Sequence, residues 1–147
     1  MYTHILIPTD GSALSEVAIR QGIAFARAIR AKVTALTVSP SFHVFDVDPL
    51  MVGYTPSAEQ YATSSAARAE EYLAVARVEA GIAGVPCETV HVTRDHVYEA
   101  IVDAAGKKGC DLIFMASHGR KGISAFVLGS ETYKVLCHSK IPVLVCR

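Results

Sequence analysis

Five short runs of apolar residues, rich in valine and isoleucine, alternate along the chain with four longer segments of helical periodicity. The runs are residues 5–8, 33–38, 87–92, 111–115 and 141–146, and the helical segments are residues 12–31, 62–80, 97–109 and 128–137. This alternation is typical of βαβ units, in which consecutive strands lie parallel in one sheet. Because the runs are almost continuously apolar, we expect helices on both faces of that sheet. The pattern predicts an α/β fold, and 147 residues fit one domain spanning residues 1–147.

Helix ends are marked by small polar residues and by glycine. Ser12 is a predicted N-cap, because it stands just before the first helical segment and its hydroxyl can accept a backbone N–H. Gly81 and Gly84, followed by Pro86, are predicted to end the second helix.

The segment between the second strand and the second helix interrupts the pattern. Residues 39–57 contain Pro40, Pro49, Gly53 and Pro56, with aromatic side chains between them. This stretch is longer than a packing connection needs. Two interpretations stay open, a functional loop or lid and a surface loop whose sequence has drifted.

The composition argues against several classes of function. Fourteen basic and fourteen acidic residues give a formal net charge of zero, so no general attraction to nucleic acid or to an anionic membrane follows. The four cysteines, which form no Cys-x-x-Cys pair, favour reduced thiols over disulfides or a zinc site; they are Cys87, Cys110, Cys137 and Cys146. No signal peptide and no apolar run of about 18 residues is recognised, so the expected location is the cytoplasm.

Two loops are the predicted ligand-binding region. Ligands of parallel α/β sheets bind beyond the carboxyl ends of the strands, where the winding of the chain reverses. That rule selects residues 9–12 after the first strand and residues 116–131 after the fourth. The first loop carries Asp10, and the second carries Arg120 and Lys121, which add positive charge.

Glycines in the second loop suit a phosphate ligand. Gly119 and Gly122 allow the backbone to bring its N–H groups close to a ligand. Gly129 and Ser130 open a helix, whose free N–H groups and dipole favour an anion. The same residues also fit turn glycines and a helix-capping serine, so both interpretations stay open at this point. Neither the P-loop nor the Rossmann glycine pattern is present.

The chain resembles the universal stress proteins over nearly its whole length. Residues 5–12 are similar to the first strand and loop of that family, and residues 129–145 resemble its last helix and strand. Nucleotide-binding members carry the pattern Gly-x2-Gly-x9-Gly-Ser/Thr after the fourth strand. Gly119, Gly129 and Ser130 match the second glycine, the third glycine and the hydroxyl residue.

Ala116 stands where the first glycine of that pattern belongs. If the backbone there has a negative φ, the added methyl group is a minor obstruction. If φ is positive, the loop would be strained by roughly 1 kcal/mol or more. The sequence leaves both outcomes open.

The resemblance implies a fold and a function. The implied fold is a three-layer sandwich with a five-stranded parallel sheet in the order 3-2-1-4-5, similar to the adenine nucleotide alpha hydrolases. The implied function is binding of an adenine nucleotide, with ATP as the expected ligand and Mg²⁺ or Mn²⁺ on its phosphates. Such a protein would act as a sensor or regulatory module in a stress response, read by a signalling partner that the sequence does not identify.

The resemblance also implies which residues contact the nucleotide. Residues at the ends of strands one, two and four would hold the nucleoside, and residues around the last helix would hold the phosphates, mostly through backbone N–H groups. The implied set is Pro8, Thr9, Asp10, Val38, Met115, Ala116, His118, Gly119, Gly129, Ser130 and Glu131. Asp10 also fits a simple turn or capping role.

Two alternative functions stay open. The first is a slow ATP hydrolase, although no Walker lysine is present and only His118 and Glu131 are candidates for its chemistry. The second is a nucleotide-free dimeric scaffold, which would follow if Ala116 and Phe126 close the pocket.

The last strand is the predicted dimer contact. It is expected at an edge of the sheet, where Val143, Leu144 and Val145 would offer unpaired backbone groups to a second strand. In the resembling family this strand pairs with its twofold mate, so the resemblance implies a homodimer.

Overall fold

Strands and helices alternate along residues 1–43, 56–119 and 128–147, the residues that this computed structural model describes. The strands are β1 (His4–Pro8), β2 (Lys32–Ser39), β3 (Cys87–Thr93), β4 (Leu112–Ala116) and β5 (Val143–Cys146). The helices are α1 (Ala13–Ile29), α2 (Ala58–Ala83), α3 (Val97–Lys108) and α4 (Ser130–His138). The strand–helix alternation predicted from the apolar runs is therefore confirmed.

The strands form one parallel sheet in the order β3-β2-β1-β4-β5, as predicted. Helices cover both faces, which explains the continuous apolar runs. Along β1, Ile5 and Ile7 belong to the core cluster shared with α1 and α2, whereas Leu6 belongs to the cluster shared with α3 and α4. All three side chains are fully buried.

Several helix boundaries depend on local capping groups. Ser12 caps α1 as predicted, since its hydroxyl accepts the N–H of Ser15. The helix α2 starts earlier than its apolar periodicity indicates, because Ser57 and Gln60 form a reciprocal capping box. It ends at Gly84, which has a left-handed backbone with φ 68°. Among the described helices, none is both long enough and apolar enough to cross a lipid bilayer.

The strands β4 and β5 begin one and two residues later than predicted. Ser139 delays β5, because its hydroxyl oxygen accepts the N–H of Ile141 at 3.0 Å and its O–H donates to the Ile141 carbonyl at 2.7 Å. This turn precedes the strand.

Asp111 lies just before β4 and fastens the amino end of the sheet. Its carboxylate accepts the N–H of His4 at 2.9 Å and the N–H and hydroxyl of Thr3 at 2.8 Å each. Burial disfavours the charged carboxyl, but these hydrogen bonds outweigh burial and lower the pKa of Asp111. Asp111 is therefore a structural residue at the end of the sheet opposite the predicted ligand loops.

Part of the predicted loop over residues 39–57 lies outside the described residues. On its described side, the Phe42 and Tyr61 rings lie 5.3 Å apart, and the Tyr61 hydroxyl donates to the Pro40 carbonyl at 3.0 Å. His43 contacts Asp95 at 3.0 Å. The start of this connection is thus attached both to α2 and to the turn after β3.

Candidate functional site

β1 and β4 stop pairing before they reach their carboxyl ends. Their shared ladder ends at Leu6 and Ile113, after two residue pairs. Beyond that level β1 continues beside β2 as far as Pro8, and β4 continues beside β5 as far as Ala116. The chain also winds in opposite directions from these two strands, and open α/β sheets bind ligands at such a point.

Thr9 fixes the backbone of the turn after β1. Its N–H donates to the Leu36 carbonyl at 2.8 Å, and its own carbonyl accepts the Thr37 hydroxyl at 3.1 Å. Its hydroxyl lies 3.0 Å from that of Ser15 in α1. Thr9 is buried, and these bonds hold it to β2 and α1.

Asp10 connects the turn after β1 with the segment after β4. One carboxylate oxygen accepts the N–H of Ser12 at 3.0 Å, which closes a local turn. The other oxygen lies so near Gly119 that a methyl group on that glycine would overlap it. The structure therefore brings together two predicted site residues from separate loops.

The Tyr72 ring, from α2, lies against the backbone of Gly11. Gly11 has φ 73°, a left-handed conformation that side chains rarely adopt, and a methyl group there would overlap the ring. Tyr72 thus supports the turn that carries Asp10.

Ala116 carries no backbone strain. It is the last residue of β4 and pairs with Cys146, and Arg30 alone among the described non-glycine residues has a positive φ. The methyl group of Ala116 is buried in the cluster shared with α1 and α2, while the Met115 side chain is buried toward α3 and α4. Because φ is not positive at Ala116, the outcome that applies, of the two left open by the sequence, is the one in which its methyl group is only a minor obstruction.

Gly129 is locked against the end of β4 by a backbone hydrogen bond. Its N–H donates to the Ser117 carbonyl at 2.8 Å. A Cβ at Gly129 would lie 2.9 Å from the His118 Cα, which is closer than real Cβ atoms approach. Gly129 therefore allows the backbones to approach closely, and its own N–H is engaged inside the protein.

The first turn of α4 presents backbone N–H groups beside this junction. The first hydrogen bond of the helix runs from Tyr133 N–H to the Gly129 carbonyl at 2.9 Å. The amides of Ser130, Glu131 and Thr132 precede it and have no intrahelical acceptor. The Thr132 hydroxyl donates to the Ala116 carbonyl at 3.0 Å, which holds this turn on the end of β4.

Sequence comparison identifies the family. A profile of the universal stress protein family matches residues 1–147. The chain belongs to the universal stress protein family. Among its relatives, the universal stress protein MJ0531 of Methanocaldococcus jannaschii is 33% identical over 149 residues, covering all of this chain and 83% of the relative.

Solved structures of universal stress proteins share the fold. The structure of MJ0577, also from M. jannaschii, has a TM-score of 0.81 at 28% identity and covers 99% of this chain and 95% of that one. A universal stress protein in complex with cAMP has a TM-score of 0.69 at 23% identity, covering 99% and 97%. One from Archaeoglobus fulgidus in complex with dAMP has a TM-score of 0.62 at 17% identity, covering 99% and 98%.

The remaining predicted residues of this universal stress protein lie around the same edge of the sheet. His118 is half-buried, with its Nδ1 3.1 Å from the Ser117 hydroxyl. Glu131 directs its carboxylate to α3, where it accepts the N–H of Tyr98 at 2.9 Å, and it also pairs with Lys134 of its own helix α4 at 3.1 Å. Val38, near the end of β2, packs partly buried on the α3 and α4 side.

In the second predicted ligand loop, four residues lie outside the described residues: Arg120, Lys121, Gly122 and Phe126. In the part of the chain that the structure describes, no group of three or more His, Cys, Asp or Glu side chains is placed to hold a metal ion.

Three residues of this site were not predicted from the sequence: Tyr72, Ser117 and Thr132. Thr132 stands within the Gly-Ser-Glu-Thr stretch that carries the family resemblance, so its position was a usable signal. Ser117 acts through its backbone carbonyl, which residue type does not reveal. Tyr72 reaches the turn from a distant helix, and its spacing gives no sign of that contact.

Proposed function

We propose that this universal stress protein binds an adenine nucleotide, with ATP the expected ligand, where β1 and β4 stop pairing. The observation that carries the proposal is the meeting of Asp10 with the loop that leads to the N-terminus of α4. Asp10 offers a hydrogen-bond acceptor for the nucleoside, and the N-terminus of α4 offers N–H donors for the phosphates. The proposed binding unit is one cytoplasmic domain over residues 1–147.

The phosphates are assigned to the first turn of α4. Three consecutive amides at a helix N-terminus, together with the helix dipole, form a favourable environment for an anion. Because the Gly129 N–H is bonded to Ser117, the donors in this proposal are the amides of Ser130, Glu131 and Thr132. Gly119 and His118, which precede the helix in the same junction, would border the phosphates.

The nucleoside is assigned to the ends of β1, β2 and β4. Asp10 can accept hydrogen bonds from ribose hydroxyls, and Pro8 and Thr9 would form the adjoining wall. Val38 would contact the adenine ring from β2. Met115 and Ala116 would lie beneath the ribose, with the backbone rather than the buried Met115 side chain reaching the ligand.

Two structures of the same fold support the ligand class. They are complexes with cAMP and with dAMP, so this architecture accommodates adenine nucleotides in other proteins. ATP is expected here because the α4 terminus can serve more than one phosphate. A triphosphate would carry Mg²⁺ or Mn²⁺, which reduces its charge.

Binding is favoured over hydrolysis by the position of Glu131. Its carboxylate, one of the two candidate groups for hydrolysis, is engaged by Tyr98 of α3 and by Lys134 of α4. We therefore propose a sensor or regulatory module, in which nucleotide occupancy is read by a signalling partner during stress.

The decisive experiment deletes one backbone donor. Ser130→Pro removes the Ser130 N–H, and proline is tolerated at the first position of a helix. The preceding Gly129, with φ −61° and ψ 147°, already has the backbone that proline requires of its neighbour. A hydrogen bond to a charged group contributes about 1.5–3 kcal/mol, so we expect the Kd for ATP to rise roughly ten- to hundredfold.

Ser130→Ala is the matched control, because it removes the hydroxyl and keeps the N–H. Calorimetric titration with Mg²⁺–ATP, AMP and cAMP should show binding to the parent and to the Ser130→Ala control. Equal ATP affinity of the proline and alanine variants, or no binding of any of the three nucleotides at millimolar concentration, would refute the proposal.

We further propose a homodimer through β5. This strand pairs with β4 on one side and ends the strand order of the described sheet, so its other edge faces outward; Leu144 is exposed, and Val143 and Val145 are half-buried. Tyr133 and Leu136 on α4 are exposed large apolar side chains that a partner could cover. The mass by analytical ultracentrifugation should be that of a dimer at micromolar concentration, and Leu144→Glu should shift it to a monomer; a monomeric parent contradicts the proposal.

A further inference from the structure

Three basic side chains surround a cavity at the amino end of the sheet, opposite the proposed nucleotide site. The cavity has a volume of about 410 Å³ and lies between the end of α1 and the connection from α2 to β3. Arg27, Arg30 and Lys32, which we call the amino-end cluster, line it together with the apolar Val85 and Pro86. The volume is within the range of small-molecule sites, which is roughly 300–1,000 Å³.

No member of the amino-end cluster pairs directly with a carboxylate of the described residues around it. The nearby carboxylates are engaged elsewhere, since Asp111 accepts hydrogen bonds from Thr3 and His4, and Glu88 pairs with Lys108. Three cations line this cavity, and the Asp111 carboxylate, which is bonded to the cavity-lining Thr3, offsets one of them, so the described residues leave a local excess of positive charge.

Arg30 occupies a backbone position that disfavours it. Its φ of 59° and ψ of 36° are left-handed, and it is the only described non-glycine residue with a positive φ. The helices α2 and α3 end in the same conformation, and there the residues are Gly84 and Gly109. Glycine would therefore suit the backbone conformation better at position 30, although a guanidinium there, like that of Arg27, also suits the negative end of the α1 dipole.

We propose that the amino-end cluster binds the phosphate group of a small phosphorylated molecule. An arginine guanidinium can donate two parallel hydrogen bonds to a pair of phosphate oxygens. A site with three cations also suits a dianionic phosphate better than it suits a singly charged carboxylate. The wall formed by Val85 and Pro86 would contact the organic part of the ligand. Phenyl phosphate should therefore bind more tightly than inorganic phosphate, and both more tightly than phenylacetate.

The test uses the full chain labelled with ¹⁵N and titrated with these three probes. Shifts in the amides of Arg30, Lys32 and Val33 report this cavity, whereas shifts in Ser130 and Glu131 report the proposed nucleotide site. Arg30→Gly should melt at the same or a higher temperature than the parent without ligand, because glycine suits the left-handed backbone. It should nevertheless bind phenyl phosphate about three- to tenfold more weakly, as expected for a lost charged contact that is open to solvent.

Arg30→Gln and Arg27→Gln should weaken the binding of phenyl phosphate to a similar extent, and a higher salt concentration should weaken its binding to the parent. Arg68→Gln, which removes one charge from the exposed surface of α2, should leave the affinity unchanged. The proposal is overturned if Arg30→Gly binds phenyl phosphate as tightly as the parent, or if phenyl phosphate shifts only the α4 amides. It is also overturned if no amide shifts at a phenyl phosphate concentration of about 10 mM, which is high enough to reveal a weak anion site.

Discussion

Replacing Gly11 by alanine should destabilise the protein through two separate effects. The residue has φ 73°, and forcing an alanine into the left-handed region costs about 1–2 kcal/mol. The added methyl group would also overlap the Tyr72 ring, and overpacking of this kind typically costs about 1–3 kcal/mol. The free energy of unfolding should therefore fall by about 2–5 kcal/mol.

Two further variants separate the strain from the overlap. Gly84 has nearly the same φ, 68°, but a methyl group there would meet no atom within 4 Å, so Gly84→Ala should show the strain alone. In the double variant of Gly11→Ala with Tyr72→Ala the overlap is gone and the strain remains. The double variant should be more stable than the sum of the single changes by about 1–3 kcal/mol, and the cycle cancels the other contacts of Tyr72.

Urea unfolding measures these differences. With a slope of about 1–3 kcal/mol/M, the Gly11→Ala midpoint should fall by about 1 M or more. If Gly11→Ala and Gly84→Ala lose the same stability, or if the double variant is additive to within about 0.5 kcal/mol, the Tyr72 contact does not hold this turn. The support that we assign to Tyr72 for the Asp10 turn would then be wrong.

Three other changes test neighbouring parts of the structure. The pKa of His4 is lowered from its ordinary 6.5, chiefly by burial. As the pH falls, this histidine is therefore protonated in the unfolded chain before it is protonated in the folded protein. Thermal stability should therefore fall as the pH drops below about 6.5, and His4→Gln should remove this part of the pH dependence. Glu131→Ala leaves the Tyr98 N–H of α3 uncapped, so urea unfolding should show a loss of about 0.5–2 kcal/mol. Thr132→Val removes the buried hydrogen bond to Ala116, so it should cost about 1–3 kcal/mol and weaken ATP binding in calorimetry.

The sequence pattern predicted the sheet because its central strands, β1 and β4, are apolar on both sides. Ile5, Leu6 and Ile7 alternate between two cores, and a run with that property has few alternatives to a strand between helices. Helix ends were less predictable. The helix α4 begins at Ser130 rather than at 128, because a tertiary bond from Gly129 to Ser117, which local periodicity cannot show, fixes its first turn.

The candidate site was predictable where glycine or aspartate marks a loop at the end of a strand. Asp10 and Gly119 were selected in this way, and the structure places them side by side. Tyr72 and Thr132 were not, because their contributions are contacts between distant segments of the chain. Gly129 was selected as a phosphate donor, and the structure gives its N–H an internal partner instead.

The engagement of the Gly129 N–H strengthens the rest of the proposed phosphate site. The bond from Gly129 to Ser117 and the bond from the Thr132 hydroxyl to Ala116 attach the first turn of α4 to the end of β4 at two points. The amides between these points, those of Ser130 and Glu131, are therefore held in position before any ligand arrives. A ligand that meets fixed donors loses less free energy to ordering than one that must arrange a mobile loop. The bond that engages the Gly129 N–H therefore holds the amides of Ser130 and Glu131 in place for a ligand. Ser130→Pro removes one of these two amide donors, so it is the most direct test of the site.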